Sequence, residues 1–77
     1  MEEKIINILE EISEEIVTYD GENMIEDGII SSLEMLEIIT ELEKEFKIKI
    51  KADYVNARYF SNIKTIIKMV KVIAEGK

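Results

Sequence analysis

Asp27-Gly28-Ile29-Ile30-Ser31-Ser32-Leu33-Glu34-Met35-Leu36-Glu37-Ile38-Ile39-Thr40-Glu41-Leu42-Glu43-Lys44-Glu45-Phe46 carries a glycine turn directly into a helix start. Ser31-Ser32-Leu33-Glu34 has the capping-box spacing, in which a serine oxygen accepts a backbone N–H and a glutamate three residues on reaches back. Ser31 is therefore the expected N-cap, and Ser32 stands in the first turn. Leu33, Leu36, Ile39, Leu42 and Phe46 follow at steps of three or four and are expected to form the buried stripe. Glu34, Glu37, Glu41 and Glu45 repeat on another face. Like charges at this spacing repel by a few tenths of a kcal/mol per pair, so a helix that keeps them has a use for them.

Upstream, Ile5, Ile6, Leu9, Ile12, Ile16 and Val17 recur at helical spacing, with Glu10, Glu11, Glu14 and Glu15 opposite, which predicts one amphipathic helix over Glu2–Val17. Thr18–Ser31 has turn chemistry at Tyr19-Asp20-Gly21 and at Asp27-Gly28, with Met24, Ile25, Ile29 and Ile30 between. It reads as an ordered loop. Downstream, Lys47-Ile48-Lys49-Ile50-Lys51 alternates like a strand but has no partner strand, so an extended connector with Ile48 and Ile50 pinned inward is expected. Ala52–Tyr59 reads as a short third helix or turn, Phe60 as an anchor, and Ser61-Asn62 as the cap of a last helix ending at Gly76. In that helix Ile63, Ile66, Ile67, Val70 and Ile73 face inward and Lys64, Lys68 and Lys71 outward.

These elements fit an all-α fold: a small four-helix bundle, three main helices plus a short third, with a long first loop. The 77 residues give a single domain, 1–77, near the lower size that a hydrophobic core alone can hold. Apolar residues make up 47% and charged residues 35%, with two Phe, three Tyr and no Trp, so the core is aliphatic. No apolar run nears the roughly 20 residues that span a bilayer, and the acidic start lacks secretory-signal features, so a cytoplasmic location is expected.

The inventory excludes much chemistry. Without cysteine there is neither a disulfide nor a thiolate metal site, and without histidine the commonest general base and zinc ligand are missing. Asp20, Glu22, Glu26 and Asp27 lack calcium-loop spacing, and adjacent pairs such as Glu14 and Glu15 do not converge. An enzyme is not expected. Net charge is −7 but unevenly spread: Met1 to Phe46 holds fifteen acids against two bases, and Lys47 to Lys77 eight bases against two acids. The acidic part would repel nucleic acid and attract basic protein surfaces. The lysines of the last helix lack interleaved aromatics and read as a solvated face.

Capping accounts for Ser31 but not for Ser32. What a serine there would suit is an attached phosphate, because free N–H groups and the helix dipole favour an anion. Over nearly its whole length the chain resembles an acyl carrier protein. Ser31-Ser32-Leu33 stands at the attachment motif, Leu42-Glu43-Lys44-Glu45-Phe46 closes the acidic helix, and Phe46-Lys47-Ile48-Lys49-Ile50 matches the connector. Ser31 replaces the family's aspartate and keeps the capping role. Gly28, four residues ahead of Ser32 in G-I-I-S-S, is similar to the arrangement of D-alanyl carriers.

The resemblance implies a phosphoprotein with 4'-phosphopantetheine from coenzyme A on Ser32, installed by a phosphopantetheinyl transferase, carrying acyl or aminoacyl groups as thioesters. The partners implied are a loading ligase and the acyltransferase or synthase enzymes of lipid or secondary-metabolite biosynthesis, with no membrane insertion and a monomeric carrier. Leu33, Glu34, Met35, Leu36, Glu37 and Glu41 form the implied contact set, although Leu33 and Leu36 read equally as core. The alternatives are a D-alanyl or other aminoacyl carrier of a cell-envelope pathway, and an unmodified helical interaction module.

Overall fold

The apolar periodicities resolve into four helices joined by ordered connections. In the computed structural model, which describes residues 2–76, α1 spans Glu2–Ile12, α2 Glu14–Thr18, α3 Ser32–Phe46 and α4 Ile63–Glu75. A 3-10 turn, Ala52–Tyr54, lies between α3 and α4. No strand occurs among the described residues, and the expected all-α helical bundle is what forms. Helix α1 packs against all three others.

Every segment contributes to one core. Ile5 and Leu9 enter from α1, Ile16 from α2, Ile38 and Leu42 from α3, and Ile66, Met69 and Val70 from α4. The connections supply the rest: Met24 and Ile30 from the first loop, Ile48 and Ile50 from the connector, and Phe60 ahead of α4. Among the described residues no polar side chain is buried. Met69 joins the core beyond the residues expected from the periodicity, and Ile8 rather than Ile6 packs against it from α1.

The single first helix expected over Glu2–Val17 is in fact two. Ser13 is extended, at φ −165° and ψ 122°, and α2 restarts immediately after it. Serine is a poor interior helix former, and a continuous helix would align Glu10 with Glu14 and Glu11 with Glu15, both like-charged pairs four residues apart. The break removes that alignment and still buries Ile16.

The inward face of α3 also differs from expectation. Leu33 and Leu36 are 72% and 59% exposed, whereas Ile38 and Leu42 are fully buried and Met35, Ile39 and Phe46 are half-buried against the core. A strict three-residue spacing walks around a helix. At about 100° per residue, nine residues from Leu33 to Leu42 amount to half a turn, so these two leucines face opposite ways. The stripe that stays on one side begins at Met35.

The connector is extended as expected. Its N–H groups find acceptors on Glu43: the Ile48 amide donates to the Glu43 carbonyl at 3.3 Å, and the Ile50 amide to Glu43 Oε2 at 2.8 Å. Helix α3 ends at Lys47 in the left-handed conformation, φ 54°. Beyond it the short third element is only the 3-10 turn, after which Tyr54 and Tyr59 meet edge to face with centroids 4.9 Å apart. Asn62 then caps α4, exchanging hydrogen bonds with Thr65 in a second capping box.

The two faces of α3 give opposite mutational outcomes. Leu42→Ala removes a side chain with no exposure and should cost about 2–5 kcal/mol, whereas Leu36→Ala should stay within about 0.5 kcal/mol of wild type. Urea denaturation of both variants measures this, and equal losses would reverse the assignment of faces.

Candidate functional site at the head of helix α3

The loop that delivers Ser32 is held at several points. Met24 is fully buried, and its amide donates to the Ser61 carbonyl at 2.8 Å, tying the loop to the segment before α4. The Tyr19 hydroxyl donates to Asp27 Oδ2 at 2.5 Å and accepts from the Asn23 amide at 2.8 Å. Asn23 Oδ1 in turn accepts from the Ile25 and Glu26 amides, an Asx turn. The Tyr19 phenol is held above the usual tyrosine range, first by partial burial and then by its bond to the Asp27 carboxylate.

Two glycines matter here for different reasons. Gly28 has φ +72°, where side chains are strained, and it turns the chain toward α3. Gly21 lies under the Tyr19 ring, and a Cβ there would collide with the phenol. The sequence signalled a turn at both glycines. The Tyr19–Asp27 clasp, which closes around Gly21 and ends beside Gly28, was not anticipated, because nothing in the local pattern pairs residues eight apart across a loop.

At the end of the loop the expected capping box forms. Ser31 Oγ accepts the Glu34 amide at 3.2 Å, and Glu34 Oε1 accepts the Ser31 amide at 3.0 Å. Ser32 is the first residue of α3 and is exposed, and its hydroxyl makes no hydrogen bond within the described residues. The amides of Ser32 and Leu33 likewise have no protein acceptor there, as expected of a first helical turn. The arrangement presents a free hydroxyl beside two backbone donors at the positive end of a four-turn helix.

The acids and apolar residues beyond Ser32 take separate tasks. Glu34 is half-buried and engaged in the cap, Glu43 holds the connector, and Glu45 pairs with Lys4 at 3.4 Å. Met35 turns inward against the core. Leu33, Leu36, Glu37, Thr40 and Glu41 line a shallow hollow of about 330 Å³ on the outer face. Glu37 and Glu41 make no ion pair among the described residues. Of the six contact residues read from the sequence, this surface brings together Leu33, Leu36, Glu37 and Glu41, and it adds Thr40, whose hydroxyl is turned back onto the Leu36 carbonyl at 2.9 Å.

Among the described residues no group of carboxylates is placed to hold a metal ion, and no helix is long and apolar enough to cross a membrane. No family model, curated protein or solved structure matches the chain.

The two serines should separate in stability. Ser31→Ala removes the acceptor of the capping box and should cost about 1 kcal/mol, while Ser32→Ala, which breaks no bond, should change stability by less than about 0.5 kcal/mol. Thermal or urea denaturation of the unmodified proteins reads the difference.

Proposed function

We propose that the chain is an acyl carrier protein, in which Ser32 bears 4'-phosphopantetheine and the outer face of α3 docks the enzymes that load and unload it. The observation that carries this reading is the exposed, unbonded Ser32 hydroxyl at the start of a capped helix, directly beside an uncovered patch of leucines and glutamates. The residues present suit the group. A phosphodiester on Ser32 Oγ would lie at the positive end of α3, within reach of the unpartnered amides of Ser32 and Leu33.

Each residue of the site has a distinct task. Ser32 provides the hydroxyl, and since no side chain among the described residues hydrogen-bonds to it, the base that takes its proton is assigned to the transferase. Ser31 and Glu34 hold the helix start so that the hydroxyl stands at a fixed place. Glu37 and Glu41 steer basic partner surfaces, and Leu33 and Leu36 fix the register on contact. The arm, when bound, supplies the thiol that holds an acyl group as a thioester. Tethering raises the delivered group to an effective concentration around millimolar once the carrier docks.

A second reading, an aminoacyl carrier of the D-alanyl type, has a specific feature in its favour. Gly28, with its positive φ, sits four residues before Ser32, the placement similar to that of D-alanyl carriers. The two readings share Ser32 and differ in cargo. The rival of another class is a helical interaction module that carries no arm and uses only the Leu33–Leu36 face.

Intact-protein mass after incubation with coenzyme A and a phosphopantetheinyl transferase tests the modification. Wild type should gain one phosphopantetheine, Ser31→Ala should still be modified, and Ser32→Ala should gain nothing while remaining folded. A mass gain that survives in Ser32→Ala would move the site to Ser31, and no gain in wild type with several transferases would favour the unmodified module.

Docking is tested separately. Glu37→Lys with Glu41→Lys should raise the transferase KM several-fold with little change in kcat, because the substitutions alter encounter and leave the Ser32 hydroxyl in place. An unchanged KM would detach the acidic face from this partner.

A further inference from the structure

A second surface, formed by the connector, the 3-10 turn and α4, has the opposite chemistry. One hollow of about 330 Å³ is lined by Tyr54, Arg58, Tyr59, Thr65, Lys68, Met69 and Val72, and an adjoining one of about 320 Å³ by Lys49, Lys51, Tyr54, Val72, Ile73 and Gly76. The two hollows adjoin at Tyr54 and Val72, which line both, and are together termed the trough. Lys49, Lys51, Arg58 and Lys68 are exposed along it and make no ion pair among the described residues, in contrast to Lys71, which is held by Glu2 at 3.3 Å. No acid is among the described residues that line it, although the chain as a whole carries −7. Its walls are apolar and aromatic: the Tyr54–Tyr59 pair, with the Arg58 guanidinium 5.8 Å from the Tyr59 ring centre, and Val72, which is 52% exposed.

The exposed large apolar side chains of the described residues are Leu33, Leu36 and Val72. The first two lie among Glu37 and Glu41, and the third among Arg58, Lys68, Lys49 and Lys51. The molecule thus displays an apolar patch set in acid and an apolar trough set in base, of similar size. The acidic patch stays exposed, so the chain's own trough does not cover it.

We propose that this trough receives the acidic patch of a second copy of the chain, with Leu33 and Leu36 against Val72 and the tyrosines, and Glu37 and Glu41 facing the trough's cations. The surfaces differ, so the contact is head-to-tail and leaves a free patch at one end and a free trough at the other, which produces a series of species instead of a closed dimer. Repulsion between two copies of net charge −7 opposes it at long range. At about 0.1 M salt, where charges beyond roughly 10 Å are screened, the close complementary contact survives the overall repulsion. The monomer expected from the sequence is then the dilute form. The inference does not depend on modification of Ser32, though such a contact would cover the surface proposed for docking.

Sedimentation equilibrium at about 0.1 M salt, over a wide range of protein concentration, tests it. Wild type should show a mass that rises with concentration beyond that of a dimer. Arg58→Gln with Lys68→Gln, and separately Glu37→Gln with Glu41→Gln, should each remain monomeric. An equimolar mixture of the two double variants should form a heterodimer and stop there, since only one intact patch and one intact trough remain. All four substitutions are at exposed positions, and circular dichroism verifies the fold of each variant. A wild type that stays monomeric throughout, variants that associate like wild type, or a mixture that fails to pair would each overturn the proposal. A monomeric wild type in which polyglutamate shifts the NMR signals of Tyr54, Tyr59 and Val72 would also overturn it, assigning the trough to a different acidic protein.

Discussion

A surface helix can bury only one face, and α3 carries apolar residues on two. Burial of Ile38 and Leu42, with Met35, Ile39 and Phe46 flanking them, fixes its rotation about its own axis. Leu33 and Leu36 are then outside whatever their hydrophobicity. Isolated exposed leucines need no explanation, but two adjacent ones among unpaired glutamates form a patch, and patches of this kind mark contact surfaces. The same rotation leaves Ser32, at the first position of the helix, exposed to solvent. The core packing of α3 and the accessibility of the proposed attachment point are therefore one constraint.

The long first loop serves that constraint by fixing where α3 begins. Burial of Met24 and its bond to Ser61 anchor the loop's middle, the Tyr19–Asp27 clasp closes it upon itself, and Gly28 directs the chain into the capping box. An unanchored connection of this length would let the helix start fray, and a frayed first turn would lose the amide pair that suits a phosphodiester. Because Ser31 and Glu34 satisfy each other, the cap leaves the Ser32 side chain out of the structural hydrogen bonding among the described residues. Its hydroxyl is left available.

Much of this was legible in the sequence because it depends on local chemistry. Capping boxes are short-range motifs, and alternation in a solitary lysine-isoleucine segment has few physical solutions, so Ser31, Glu34, Ile48 and Ile50 were placed where the structure has them. What was not legible depends on phase and on distance along the chain. Choosing between Leu33-Leu36 and Met35-Ile38 as the inward pair required knowing how α3 is rotated, which the partners of the helix decide. The helix break at Ser13 weighs serine's weak helix preference and glutamate repulsion against continuity, a balance of a few tenths of a kcal/mol per contribution. The lysines of α4 read as an ordinary solvated face since their aromatic neighbours, Tyr54 and Tyr59, come from another segment.

Segregation of charge gives the molecule its remaining character. If the acids and bases were intermixed, each face would be near neutral and encounters would be slow and unoriented. Instead the first forty-six residues carry nearly all the acids, the connector and α4 carry most of the bases, and only two ion pairs, Lys4–Glu45 and Lys71–Glu2, link the halves or their helices among the described residues. Exposed pairs of this kind contribute about 0–1 kcal/mol each, too little for the pattern to be explained by folding stability. The alternative is that the separation acts between molecules. It orients approach, it makes contacts sensitive to ionic strength, and it keeps them weak, because the charges that attract are the exposed ones that water and salt also solvate. The proposed carrier, which would leave each partner after delivery, would draw on contacts of that kind, and Glu37 and Glu41, which make no ion pair among the described residues, are the acids of α3 placed to provide them.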